Sequence, residues 1–286
     1  LQPQTSGFRA LVIGPGGGRD LVSALVFGAG HVDGVEINPI IANDVMRDRF
    51  LDFSGGIYTN SRVRITVDDG RSFVRRAPDR YDVIQASLVY TWAATAAGAY
   101  TLTENSLYTV EAFSDYLDHL TDGGMLTITR WVFDGLRLVS LAQDACEARG
   151  WSAADRLAIV RQKDVATFLL KKTPFTAEDI TELRAISSKL HFDVLYAPGA
   201  PAVGSWACRP RVPRPVSTGS AGRPSRPSGS PRKSPRMVGD SGGRSAGRSS
   251  DDGISAVSIG MVSRSARTSA GRRATTASTG AAKAAC

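Results

Sequence analysis

Three short stretches carry residues whose types and spacing could do chemistry together. The first is GPGGGRD, residues 14–20, with Gly14, Gly16, Gly17 and Gly18 between an apolar run and an amphipathic segment. Glycines there permit a tight turn and a close backbone approach to a ligand, and the amides of a following helix point at it. The second is Glu36, which ends the stretch HVDGVE and lies 22 residues past Gly14. A carboxylate in that place can accept hydrogen bonds from both hydroxyls of a ribose, a need common to S-adenosylmethionine (AdoMet) and NAD. The third is VDDGRSF, residues 67–73. Asp69 first, and Asp68 second, can accept from an adenine amino group while the backbone amide of Gly70 reads the ring. Each stretch alone also fits a blander reading: a glycine turn, a solvated strand-end Glu, a common loop. All three in chain order are far more specific.

Other chemistry is disfavoured. The nicotinamide fingerprint G-x-G-x-x-G wants a third glycine where this chain has Arg19. Cys146, Cys208 and Cys286 form no CxxC pair, and His31, His119 and His191 form no HxxxH pattern. No zinc site, disulfide framework or other metal site is expected.

Elements to position the three stretches can be read from periodicity. FRALVIG (8–14) is a continuous apolar run, as in a buried parallel strand. Arg19 to Phe27 has helical spacing, HVDGVEI (31–37) is a second strand, and Asn38-Pro39 opens a helix. RVRITVD (62–68) and YDVIQASLV (81–89) are strands flanking a short helix near 71–76. A helix is expected over 104–120, a fifth strand over MLTITRW (125–131) after the turn Asp122-Gly123-Gly124, and a helix over about 135–149. RLAIVRQ (156–162) and VATFLLKK (165–172) are joined by two residues and must pair antiparallel. Thr176 caps a short last helix. The expected fold class is α/β: a doubly wound, mostly parallel sheet closed by an antiparallel hairpin. Nicotinamide-binding domains usually finish with a sixth parallel strand, whereas class I AdoMet transferases finish with an antiparallel seventh strand beside the sixth.

The 286-residue chain has a net charge of +8, but that charge is unevenly placed. Residues 201–286 hold 13 Arg, 2 Lys and 3 Asp, leaving 20 basic and 24 acidic residues in 1–200. The expected organisation is one domain over 1–199 and a disordered basic tail over 200–286, rich in Ser, Gly, Arg and Pro. That tail has the composition of a GC-rich gene translated out of frame. With its mildly acidic body, the domain is not expected to bind nucleic acid. There is no apolar run of about 18 residues, hence no membrane segment in this chain. The chain does not begin with Met and is expected to be a fragment; the domain is expected in the cytoplasm, with upstream membrane segments open for the parent protein.

VIGPGGGRD, GVEINP, VDDGRSF, YDVI and DGGMLTI together resemble the spermidine synthase (polyamine aminopropyltransferase) family over roughly residues 8–172. The resemblance implies a class I AdoMet-type fold, with AdoMet or decarboxylated AdoMet as donor, Glu36 on its ribose, and Asp69 and Gly70 on its adenine. It also implies a pattern like YDVIIVDSSDP after the fourth strand, whose two outer aspartates deprotonate the attacking amine and hold the polyamine. Here those positions are Ser87 and Tyr90. Serine is no general base without a partner, and Glu104 is the first acid after Asp82. No catalytic residue is assigned; Ser87, Tyr90 and Glu104 are the candidates. The family's amino-terminal β-domain is absent from this chain. The expected function is aminopropyl or methyl transfer to an unidentified small-molecule acceptor, with a homodimer possible. Alternatives are an AdoMet-dependent methyltransferase proper, a noncatalytic ligand-binding domain and, less favoured, an NAD-dependent oxidoreductase.

Overall fold

The computed structural model describes residues 7–89 and 106–199. Tyr90, Glu104 and the tail from 200 onward lie outside the described residues. The described chain alternates strand and helix: β1 (Phe8–Ile13), α1 (Arg19–Val26), β2 (Ala29–Glu36), a π-helix (Ile40–Arg49), a short 3-10 turn (Ile57–Thr59), β3 (Val63–Val67), α2 (Gly70–Arg76) and β4 (Tyr81–Ser87). After residue 106 come α3 (Val110–Asp118), β5 (Leu120–Trp131), α4 (Gly135–Glu147), β6 (Leu157–Gln162), β7 (Val165–Lys171), α5 (Ala177–Leu190) and β8 (Asp193–Tyr196).

All eight strands form one sheet in the order β3-β2-β1-β4-β5-β7-β6-β8. β1 to β5 pair in parallel. β7 runs antiparallel to β5 and β6, so the hairpin expected over 156–172 is present and inserts β7 between β5 and β6. Strand order reverses between β1 and β4, the place where open α/β sheets bind ligands beyond the carboxyl ends of their strands. Among the described residues no helix is long and apolar enough to cross a membrane.

The core has two layers, one on each face of the sheet. Leu11, Ile13, Ile84 and Ile128 meet α3 and α4 through Phe113, Leu117, Leu138 and Ala142. Val12, Val32, Val83 and Leu169 meet α1, the π-helix and α5 through Leu21, Met46 and Leu183.

Three departures from the sequence reading have physical causes. The single helix expected over 104–120 is broken among the described residues: Ser106 and Leu107 are helical, and a new helix starts at Val110, because Thr109 is its N-cap and its side chain accepts from the Ala112 amide at 3.1 Å. Leu107 and Tyr108, which supplied part of the helical periodicity, are buried ahead of that cap. The turn at 122–124 is a bulge: pairing jumps from Tyr81–Leu120 to Val83–Met125, and a Cβ on Gly124 would lie 2.9 Å from the Tyr81 carbonyl. The last helix is 14 residues long and leads into β8, which was not foreseen. Its start is a capping box, Thr176 with Asp179, reinforced by an ion pair of 2.6 Å from Lys171.

The middle of β2 carries a buried carboxylate, Asp33, which is 1% exposed. Its carboxylate accepts from Arg64 Nε at 2.7 Å and from the buried Tyr81 hydroxyl at 3.0 Å, with His31 Nε2 at 3.2 Å. Burial, and the Asp33 charge after it, push the Tyr81 phenol well above its ordinary pKa, so it stays a donor. Asp82 accepts from the Arg9 amide and from Thr121 Oγ1, both at 2.8 Å, joining β1, β4 and β5. Asp82 is thus structural.

Replacing Asp33 leaves several donors without their shared acceptor. Asp33→Ala is expected to lower stability by about 3 kcal/mol, since it breaks a buried charged network by removing one member. Denaturant unfolding checks this; a loss under about 1 kcal/mol would mean the network contributes no more than a surface ion pair.

Candidate functional site

The glycine stretch forms the turn between β1 and α1. Gly14, Gly16 and Gly18 adopt φ of 66°, 49° and 84°, the left-handed region that other residues enter at a cost. Gly18 is also sterically required: a Cβ there would lie 2.7 Å from Ile57 Cγ2, whereas one on Gly17 would meet nothing within 4 Å. The Gly14 amide bonds to Val35 O at 2.9 Å, pinning the turn to β2.

Glu36 is 5% exposed at the carboxyl end of β2. Its Oε2 accepts from the Gly16 amide at 3.1 Å and its Oε1 from the Asn38 amide at 3.0 Å. Each carboxylate oxygen has a second lone pair, so both can still accept a hydroxyl. The Tyr58 hydroxyl, which the sequence reading overlooked, donates to the Gly16 carbonyl at 2.7 Å. Its only sequence signal was an isolated aromatic in a glycine-flanked turn.

The acidic stretch follows β3 and is tied to the same edge, with the Asp68 amide bonded to the Glu36 carbonyl at 3.1 Å. Asp69 caps α2, accepting from the Ser72 amide at 2.8 Å. Asp68 accepts from the Asp69 amide at 2.8 Å and pairs with Arg76. Both carboxylates therefore have protein partners, Asp68 through both of its oxygens. Gly70 sits against β1, where a Cβ would come within 2.6 Å of Ile13 Cγ2. Close helix–sheet packing accounts for that glycine before any ligand does.

Beyond β4, Ser87 Oγ accepts from Gln85 Nε2 at 3.1 Å. Leu88 then takes φ of 50°, unusual for a branched side chain. Val89 packs beside the glycine turn, 3.0 Å from where a Gly14 Cβ would lie. The structure thus brings Gly14, Gly16, Glu36, Asp68 and the end of β4 to one edge. Tyr90 and Glu104 lie outside the described residues. Among the described residues no group of His, Cys, Asp and Glu could hold a metal ion.

Gly18→Ala adds strain in φ and a clash with Ile57, and is expected to destabilise by about 2 kcal/mol. Gly17→Ala is expected to leave the melting temperature within about 2 °C of wild type, the range of a neutral surface change. Thermal melts of the two variants check this. Equal melting temperatures would refute the packing of the turn.

No protein-family model matches the chain. A curated polyamine aminopropyltransferase from Thermoplasma volcanium is 31% identical over 117 residues, 41% of this chain and 39% of that protein. The chain thus spans about two fifths of that relative's length. Among solved structures, a probable spermidine synthase from Corynebacterium glutamicum is 18% identical, covering 73% of this chain and 76% of that one at a TM-score of 0.48. Spermidine synthase from Thermotoga maritima is 15% identical, covering 60% and 56% at 0.44. Human methyltransferase-like protein 13 in complex with SAH is 16% identical, covering 62% and 78% at 0.43. These overall likenesses are loose, so the architecture rests on the strand order, with its antiparallel β7 between β5 and β6. By that order the chain has the doubly wound, mostly parallel fold of class I AdoMet transferases, and over 117 residues its sequence is similar to that of a polyamine aminopropyltransferase.

Proposed function

We propose that the carboxyl edge of this sheet binds AdoMet or decarboxylated AdoMet and passes a methyl or aminopropyl group to a small-molecule acceptor. One observation carries this reading: the buried Glu36 carboxylate lies against the Gly16 amide at the strand-order reversal, with lone pairs left for a ribose diol. Glu36 would hold the ribose and Gly14 to Gly18 would admit the chain beyond it. The amide of Gly70 would face the adenine. Asp69, with one oxygen on the Ser72 amide, has its other oxygen for the adenine amino group. The donor would supply a carbon activated by its sulfonium, which an acceptor nucleophile attacks as the thioether leaves.

Methyl transfer is the favoured branch. A polyamine acceptor carries protonated amines, which need a carboxylate to hold one and to deprotonate the other. At the end of β4 the chain has Ser87, hydrogen-bonded by the Gln85 amide. Methyl transfer to a nucleophile already in its reactive form needs chiefly proximity and orientation.

Calorimetric titration of the full chain with AdoMet, decarboxylated AdoMet and NAD in turn tests the reading. Saturable AdoMet binding is expected, weakened about tenfold or more in Glu36→Gln, which loses a charged hydrogen-bond acceptor. A preference for decarboxylated AdoMet would restore aminopropyl transfer. Binding of NAD alone, or of none of the three by folded protein, would overturn the proposal in favour of an oxidoreductase or a noncatalytic domain.

A further inference from the structure

The connection between β2 and β3 does more than cross the sheet. After the π-helix the chain reverses at Gly55 and Gly56, both left-handed at φ of 63° and 65°. That reversal folds the 3-10 turn Ile57–Thr59 back toward the glycine turn. Ile57 is 5% and Tyr58 2% exposed, so both side chains are committed to this packing. Ile57 occupies the space beside Gly18 that a side chain would otherwise take. Tyr58 donates its hydroxyl to the Gly16 carbonyl at 2.7 Å, while Glu36 accepts the amide of the same residue at 3.1 Å. Gly16 is therefore gripped at both of its backbone polar groups, from two different elements.

We propose that Tyr58, backed by Ile57, is a positioning residue for donor binding, setting the orientation of the Gly16–Gly17 peptide. The inference rests on reading the glycine turn as the donor site. A trans peptide holds its C=O and N–H on opposite sides. Fixing the Gly16 carbonyl on Tyr58 therefore turns the Gly17 N–H the other way, toward the space a ligand would use. Without the hydroxyl, three left-handed glycines in five residues leave this peptide free to rotate. Burial first, and the Glu36 charge second, hold the Tyr58 phenol well above its ordinary pKa, so it remains a donor.

The test compares full-length Tyr58→Phe with Tyr196→Phe. Tyr196 donates its hydroxyl to the Ala154 carbonyl at 2.9 Å, away from the turn, and serves as the control for losing one such bond. Two quantities are read: AdoMet affinity by calorimetry, and hydrogen exchange of the backbone over residues 14–20 without ligand. Expected are roughly three- to tenfold weaker binding and faster exchange over 14–20 in Tyr58→Phe, with neither change in Tyr196→Phe. Unchanged exchange overturns the positioning role, and affinity loss with unchanged exchange would put the hydroxyl on the ligand instead. Faster exchange with unchanged affinity would likewise overturn it, because the loosened turn would not matter to the donor. If wild type binds no AdoMet while exchange still rises in Tyr58→Phe, the grip on the turn stands and only the donor reading falls.

Discussion

The buried carboxylate of Glu36 is the interaction on which the rest of this edge depends. A charge taken out of water is costly unless hydrogen bonds replace its hydration. Here two backbone amides do so, one from the glycine turn and one from the start of the next helical segment. The same contacts stitch β2 to the loop that follows β1. Removing the charge would loosen two elements at once, and removing either element would strand the charge. That mutual dependence fixes the backbone in a stretch of chain with little side-chain bulk.

A second carboxylate on the same strand has the opposite task. Asp33 is three residues before Glu36, so the two side chains leave opposite faces of the sheet. Asp33 gathers Arg64, His31 and Tyr81 on one face of the sheet around the middle of β2. Its partners are side chains of the fold, and they leave no backbone turn to shape. One strand thus carries a structural anchor held by side chains in its middle and, at its carboxyl end, a carboxylate held by backbone amides. The eight-stranded sheet between them keeps the two electrostatic environments apart.

The end of β4 differs in character from the Glu36 edge. Gln85, Ser87 and Thr129 are neutral, and the Thr129 hydroxyl bonds that of Thr167 at 2.9 Å. Such groups orient a neutral or already nucleophilic partner better than they hold a dication, which wants carboxylates to offset its charge. The left-handed Leu88 directs the chain as it leaves this edge, and Leu88 N bonds to Thr129 O at 2.9 Å. Strained backbone beside a strand reversal point is a common mark of a working edge.

Much of this was legible from residue order alone. Apolar runs, turn residues and the two-residue link at 163–164 specify the parallel strands and the closing hairpin, because side-chain periodicity and loop length are local properties. The three stretches bearing Gly14 to Gly18, Glu36 and Asp68 to Gly70 were legible for the same reason: each ends or follows a strand. What the sequence could not say is how these residues use their hydrogen bonds. Asp69 could be named as a ligand contact, but only the folded chain shows that one of its oxygens caps α2. Gly70 could be seen beside it, yet its fit against Ile13 is a contact across 57 positions. Tyr58 had no local signal, since its partner Gly16 is 42 residues away. Propensity and pattern are fixed by neighbours along the chain, whereas hydrogen-bond partners and steric gaps are decided by which distant segments the fold brings within 3 Å of one another.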